Sequence, residues 1–334
     1  MVKSRSIGPS LGLENLYFKL ESLNPTGSYK DRFASAAVSH LVSEKATVCL
    51  GCSSGNTGAA LAAYSAAVGL PCILAIVDSA PEPKLRQMQV YGATIVRVSG
   101  FGVDATTTRT VSDGLVRLAA DLGTQVQISA FCYAPIGMAG VQIIAHEIAG
   151  SGIAIDHVFS PAGAGGLALA VARGFEATDA SPAVHCVQPA GNDTIATPLR
   201  DGHSSARAVE CTTAISGLQV ASVMDGHETL AACRRSGGTG YTVSDEFIYD
   251  VQTRMAREEG IFCEPAGAVA VAGVIRAAEG EEVAFDSNIA CLVTGSGFKD
   301  EASQARMVGS PGGCPSVDSF SEFEHVVRET LLRR

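Results

Sequence analysis

Two rhythms of apolar and polar positions share this chain. A short apolar run (Leu16, Tyr17, Phe18, Leu20) reads as a strand. It leads through residues 24–32 into a helical spacing of Phe33, Ala36, Ala37 and Leu41, which predicts a helix over about 29–43. The scheme then repeats, with predicted strands at 47–51, 72–77, 94–98 and 125–128 and predicted helices at 59–68, 83–91 and 103–122. A second half continues it: helix 142–149, strand 157–160, helix 167–177 and strand 183–187. Short apolar strands alternating with amphipathic helices predict an α/β fold with a parallel sheet covered on both faces. Residues 191–222 break the rhythm with an irregular, polar stretch, the place where a lid or interface segment is expected. Helices at 225–236 and 245–259 follow, then one beginning near Glu264-Pro265, with proline early in the helix as is usual. A strand at 289–293 closes the core. A Gly/Pro-rich tail at 309–315 leads to a charged, amphipathic helix at 320–332.

Composition narrows this picture. The chain has 334 residues, too many for one small core, so two lobes are expected. It is 46% hydrophobic and 17% charged, which suits a well-buried globular chain. A formal net charge of -10 without a basic patch argues against nucleic acid and anionic membranes as partners. The first ten residues carry no apolar signal core, so a cytoplasmic location is expected. The apolar run 59–77 has the length of a membrane span, but Gly69-Leu70-Pro71 interrupts it, and helix followed by strand explains it better. The 10 cysteines sit mostly among apolar neighbours and read as buried thiols. Cys49-Leu50-Gly51-Cys52 has metal or redox spacing but lacks a second pair at ligand distance, so packing is expected there and no metal.

The candidate chemistry lies in four loops at strand ends. In Asn24-Pro25-Thr26-Gly27-Ser28-Tyr29-Lys30-Asp31-Arg32, Pro and Gly make the turn, Ser28 is a candidate helix cap, and Lys30 enters the first helical turn. An accessible neutral lysine amine attacks an aldehyde and holds it as a Schiff base; alone, the same lysine reads as solvated. Ser53-Ser54-Gly55-Asn56-Thr57-Gly58 joins a strand to a helix start, where N–H groups and hydroxyls cradle a carboxylate or simply cap the helix. Gly163, Ala164, Gly165, Gly166 and Leu167 form a turn through which backbone can approach a phosphate. Their spacing is not that of a G-x-G-x-x-G dinucleotide turn. Thr294 and the glycines after it follow the last strand, where ligands of open α/β sheets bind.

A reactive lysine, a carboxylate cradle, a phosphate cradle and a hydroxyl together describe a pyridoxal phosphate site. On these motifs, with residues 236–239, 243–246 and 264–266, the chain resembles the fold-type II pyridoxal-phosphate enzymes from about Leu16 to Asp300, and among them the threonine synthases most. The resemblance implies two open, twisted, mostly parallel sheets with helices on both faces, as in the tryptophan synthase β fold. It divides the chain into a large cofactor-binding domain (1–32 and 136–334) and a smaller mobile domain (33–135). It also implies pyridoxal 5'-phosphate as cofactor. Lys30 would hold it and later move protons; Asn56 would bond the ring's 3-hydroxyl oxygen; Gly163, Ala164, Gly165, Gly166 and Leu167 would bind its phosphate; Thr294 would bond the ring nitrogen. Ser53, Ser54, Gly55 and Thr57 would hold the substrate carboxylate. Lys299 is the runner-up lysine, in a setting that reads as structural. The implied activity is β- or γ-elimination or replacement on an O-substituted amino acid. O-phosphohomoserine conversion to threonine and phosphate comes first. Alternatives are β-replacement on O-phosphoserine, of the cysteate- or cysteine-synthase kind, a serine/threonine ammonia-lyase, or a non-catalytic cofactor-binding relative. A homodimer is the implied assembly. One position departs from the pattern: Gly137 stands where threonine synthases carry an arginine that helps hold the substrate phosphate, and Gln142-Ile143 stands where Lys-Thr is usual.

Overall fold

The computed structural model describes all residues except 54, 78–81, 102–104, 221, 310–315 and 333–334, and the side chains of 82–84 and 105. The strands are β1 (Val2–Lys3), β2 (Leu16–Leu20), β3 (Cys49–Cys52), β4 (Cys72–Ile76), β5 (Thr94–Arg97), β6 (Val126–Gln127), β7 (His157–Pro161), β8 (Ala183–Pro189), β9 (Gly240–Val243) and β10 (Ile289–Val293). The helices of the first half are α1 (Ile7–Ser10), α2 (Lys30–Ser43), α3 (Asn56–Ala67), α4 (Glu82–Val90) and α5 (Ala105–Asp121). Those of the second are α6 (Pro135–Val141), α7 (Ile143–Ala149), α8 (Gly166–Glu176), α9 (Ala196–Arg200), α10 (Gly226–Arg235), α11 (Asp245–Glu259), α12 (Pro265–Glu279), α13 (Glu301–Val308) and α14 (Phe320–Leu332).

The strands form two sheets. The larger runs β1-β2-β10-β7-β8-β9 and the smaller β5-β4-β3-β6, and every pairing is parallel except β1 with β2. β10 shows why a fully apolar strand is needed at the centre. Ala290 and Leu292 face one buried cluster with Phe33, Leu61 and Met138, while Ile289, Cys291 and Val293 face another with Phe18, Phe159 and Val269. Strand side chains alternate faces, so a central strand covered on both sides must be apolar throughout. A third cluster, Leu50, Phe101, Leu115 and Val126, covers the far face of the small sheet.

The structure bears out some sequence expectations and changes others. The run 59–77 divides into the end of α3 and β4, and no helix among the described residues is long and apolar enough to cross a membrane. Cys49 and Cys52 lie three apart on one strand, so their side chains point to opposite faces and cannot share a ligand. Burial pushes the Cys52 thiol up to about 12. The expected helix at 142–149 is α7, and a further short helix, α6, precedes it and meets it at Gln142. Residues 191–222 contain α9 and are not a solvated loop: Asn192, Thr194, Ile195, Thr213 and Ile215 are buried. β9, too short to stand out between two helices, completes the edge of the large sheet. Most of the Gly/Pro-rich tail, 310–315, lies outside the described residues.

Candidate active site

The C-terminal ends of β3, β6, β7 and β10 open on one cavity of about 410 Å³, which suits a small-molecule ligand. Its lining includes Tyr29, Lys30, Ser53, Gly55, Asn56, Thr57, Ser129, Gly163, Ala164, Gly165, Gly166, Leu167, Glu264 and Thr294. Every described member of the predicted set therefore meets here. Ser54 lies outside the described residues.

Lys30 is placed by a rigid turn. Asp31 is buried and accepts hydrogen bonds from Thr26 N (3.1 Å) and Thr26 Oγ1 (2.8 Å), which closes the loop on itself. Tyr29 N donates to Thr294 O (3.0 Å), and Ser296 N donates to Gly27 O (2.8 Å), so the lysine turn is tied to the loop after β10. Ser28 serves the helix start as expected: Tyr29 already has helical φ/ψ, Ser28 Oγ accepts from Lys30 N at 3.4 Å, and buried Ser28 also bridges to Gly295. Behind the turn, Lys19 and Arg32 hold Glu21 and Glu147 (Lys19 Nζ–Glu21 Oε1 2.6 Å; Arg32 Nε–Glu21 Oε2 3.2 Å; Arg32 NH1–Glu147 Oε1 2.7 Å). Burial works to raise the Glu21 carboxyl, but the hydrogen bonds from Arg32 and Lys19 outweigh it and hold it below the usual range.

The Lys30 amine donates to Ser129 Oγ at 2.6 Å and lies 4.5 Å from the centre of the Tyr29 ring. Ser129 Oγ is also 3.0 Å from Thr57 Oγ1. Asn56 opens α3, and its Nδ2 donates to Glu264 Oε1 at 2.7 Å. Glu264 is buried at the start of α12, so this bond joins an element of the small sheet to one of the large sheet. Ser53 Oγ accepts from Gly55 N at 3.2 Å, which shapes the entry to α3.

The glycine turn after β7 needs its glycines for two reasons. Gly165 has φ +97, a left-handed conformation, and a Cβ there would run into Thr229 and Ile195. A Cβ on Gly166 would stand 3.0 Å from both Asp225 Oδ2 and Met138 Cε. With no side chains, the first N–H groups of α8 remain open to the cavity, as an anion requires. Asp225 beside this turn does not present free charge: Phe131 N (2.8 Å) and Cys132 N (3.2 Å) donate to its oxygens. Burial raises its carboxyl in spite of those bonds.

Thr294 follows β10 directly, is 4% exposed and lines the cavity. Lys299 lies elsewhere, with Nζ on Gln87 Oε1 at 2.6 Å. Gly137 is buried inside α6, where a Cβ would meet Phe33 Cε2 at 2.5 Å; it lets α6 pack on α2 and is not among the cavity-lining residues. Sequence reasoning assigned no role to Ser129 or Glu264. Ser129 stands two residues beyond β6, and that position at a parallel strand's end was its available signal. Residues 216–220, within the irregular stretch, form the facing wall.

An amine, an open helix N-terminus without side chains, a buried hydroxyl and a second helix N-terminus around one cavity fit pyridoxal phosphate in charge and in chemistry. Residues 1–295 match the family described as pyridoxal-phosphate dependent enzyme. The chain is 30% identical to a threonine synthase of Methanocaldococcus jannaschii, over 93% of this chain and 77% of that protein. In structure it is similar to the processed form of threonine deaminase isoform 2 from Solanum lycopersicum, with TM-score 0.76 and 22% identity over 94% of this chain and 89% of that one. It is also similar to maize serine racemase, with TM-score 0.75 and 21% identity over 98% and 92% of the two chains.

Proposed function

Because the chain belongs to the family of pyridoxal-phosphate dependent enzymes, we propose that it catalyses elimination or replacement at the β or γ carbon of an O-substituted amino acid, with the threonine synthase reaction as first reading. The observation that carries this is the convergence of Lys30, the glycine turn, Asn56 and Thr294 on one cavity. When bound, pyridoxal phosphate supplies an aldehyde for an amine and a ring that withdraws electrons from the α-carbon. Lys30 Nζ would hold the cofactor, and as a free amine it would take and return a proton. The N–H groups of Gly165, Gly166 and Leu167 bind the phosphate. Asn56, oriented by Glu264, presents its amide to the ring oxygen. Ser53, Gly55 and Thr57 at the start of α3 bind the substrate carboxylate. The Thr294 hydroxyl would bond the ring nitrogen; being neutral, it would not enforce a protonated ring and so would favour elimination over transamination. We take the two sheet regions, 33–135 and the rest, to move relative to each other and the protein to act in the cytoplasm as a homodimer.

A second reading, elimination of ammonia from an unsubstituted hydroxy amino acid, has its own support. Among the described lining residues Lys30 is the sole cation, and a substrate phosphate dianion calls for charged, forked donors. A panel of O-phosphohomoserine, O-phosphoserine, threonine and serine separates the readings. Phosphate with threonine from the first compound supports the threonine synthase reading. Ammonia with an oxo acid from threonine supports the second. Turnover of none of the four, in protein loaded with cofactor, sinks both.

A further inference from the structure

With Lys30 as the reactive amine of the proposed function, we propose that Ser129, backed by Thr57, is the positioning residue that holds the Lys30 amine in place in both of its protonation states. Three observations carry this. Lys30 Nζ donates to Ser129 Oγ at 2.6 Å, a short hydrogen bond. Its second neighbour is another hydroxyl, Thr57 Oγ1 at 3.0 Å, on a buried residue of the first turn of α3. Ser129 itself is half-buried and lines the cavity, so the pair stands where a freed lysine would move.

The chemistry of a hydroxyl explains the choice. A hydroxyl has one proton to give and two lone pairs to accept with, and its proton rotates at little cost. When Lys30 is an ammonium, Nζ–H donates to Ser129 Oγ and the Ser129 proton turns to Thr57 Oγ1. When Lys30 is neutral, the Ser129 proton turns to the nitrogen lone pair and the Thr57 proton turns to Ser129. Both states are satisfied by rotating two O–H bonds, with no heavy atom moving and no covalent bond made or broken. A carboxylate in the same place would favour only the ammonium, and an apolar side chain would favour neither. A lysine that must alternately hold a carbonyl carbon and carry a proton needs a partner indifferent to its charge. The contact also ties Lys30 of α2 to the end of β6 and the start of α3, which fixes the long, otherwise mobile side chain near the position from which it reacts.

The test follows capture of added pyridoxal 5'-phosphate by cofactor-stripped protein, read as the rise of the visible absorbance band. Ser129→Ala is expected to keep the wild-type melting temperature within a few degrees and to reach the same final band about 10-fold more slowly, the upper end of the effect for losing one neutral hydrogen bond. Ser129→Thr restores the rate because the hydroxyl is back. Ser129→Cys keeps the volume but bonds weakly, and it stays slow. Equal capture rates for wild type, Ser129→Ala and Ser129→Cys overturn the proposal, as does a Ser129→Thr protein no faster than Ser129→Ala. A wild-type protein that develops no band removes the functional reading itself, an outcome distinct from both.

Discussion

At the scale of single residues, the site depends on what is absent as much as on what is present. Gly165 holds a left-handed φ of +97 with Thr229 and Ile195 against its open side. Gly165→Ala is therefore expected to cost about 2–4 kcal/mol of stability in a denaturant titration and to weaken cofactor binding more than it weakens folding. Glu264 makes an opposite kind of demand. Its carboxylate accepts from Asn56 Nδ2 at 2.7 Å and so decides which end of that amide faces the cavity. Glu264→Gln brings a donor of its own and frees the Asn56 amide to flip. We expect the shape of the visible cofactor band to change and cofactor affinity to fall about tenfold, with folding little altered; an unchanged band and affinity would contradict this. Lys30, Asn56 and Thr294 were legible in the sequence because each lies in a short motif at a strand or helix end. Ser129 and Glu264 were harder to read: Ser129 gains meaning only when Lys30 stands 2.6 Å away, across 99 positions of chain.

At the scale of elements, close helix packing and a buried ion network position the lysine turn. Gly137 and Gly140 bring α6 against α2, with a Cβ at Gly137 meeting Phe33 Cε2 at 2.5 Å. Gly137→Ala is expected to destabilise the protein by about 1–3 kcal/mol by overpacking, with Phe33→Leu relieving part of the loss in the double variant. This also explains a departure from the family pattern that the sequence alone read as a missing phosphate ligand: the position belongs to a helix contact. Glu21, 1% exposed, is held below the usual carboxylate range by Arg32 and Lys19 against its burial. Its contribution is complete above its unfolded pKa and is lost as pH falls through the lower folded value. Glu21→Gln leaves Lys19 and Arg32 imperfectly paired and should cost about 3–5 kcal/mol at neutral pH. α11, with its clear apolar stripe, was legible to the residue, and the start of α12 was legible from Pro265. The weakly marked elements, β1, β9 and α13, were not, because two to eight residues carry too little pattern and owe their conformation to neighbours already in place.

At the scale of the whole molecule, the two parallel sheets leave their C-terminal strand ends facing one cavity, and the opposite end of the large sheet carries a different feature. His157 Nδ1 and His185 Nε2 are 3.0 Å apart, and Thr239 N donates to His185 Nδ1. His185 therefore carries its proton on Nε2 and gives it to His157, which leaves both rings neutral. Burial first, and then His157, pushes His185 from its ordinary 6.5 down to about 3. Between those values the unfolded chain binds the extra proton, so stability is intact above about pH 6.5 and falls as pH drops toward 3, by about 5 kcal/mol in all. His185→Leu should flatten that part of the stability profile and leave the loss from Glu21 at lower pH. The alternation of strands and helices made the fold class legible, since buried parallel strands need apolar runs and covering helices need one apolar face. The four loops were legible one by one as motifs at strand ends, but their meeting in one cavity only through resemblance, because they lie far apart in the chain. The most direct measurement is the visible absorbance of the purified protein with pyridoxal 5'-phosphate, before and after Lys30→Ala. The account predicts a band for the wild type that disappears in the variant while the melting curve without cofactor stays the same. A band that survives the loss of this amine would place the reactive nitrogen elsewhere and contradict it.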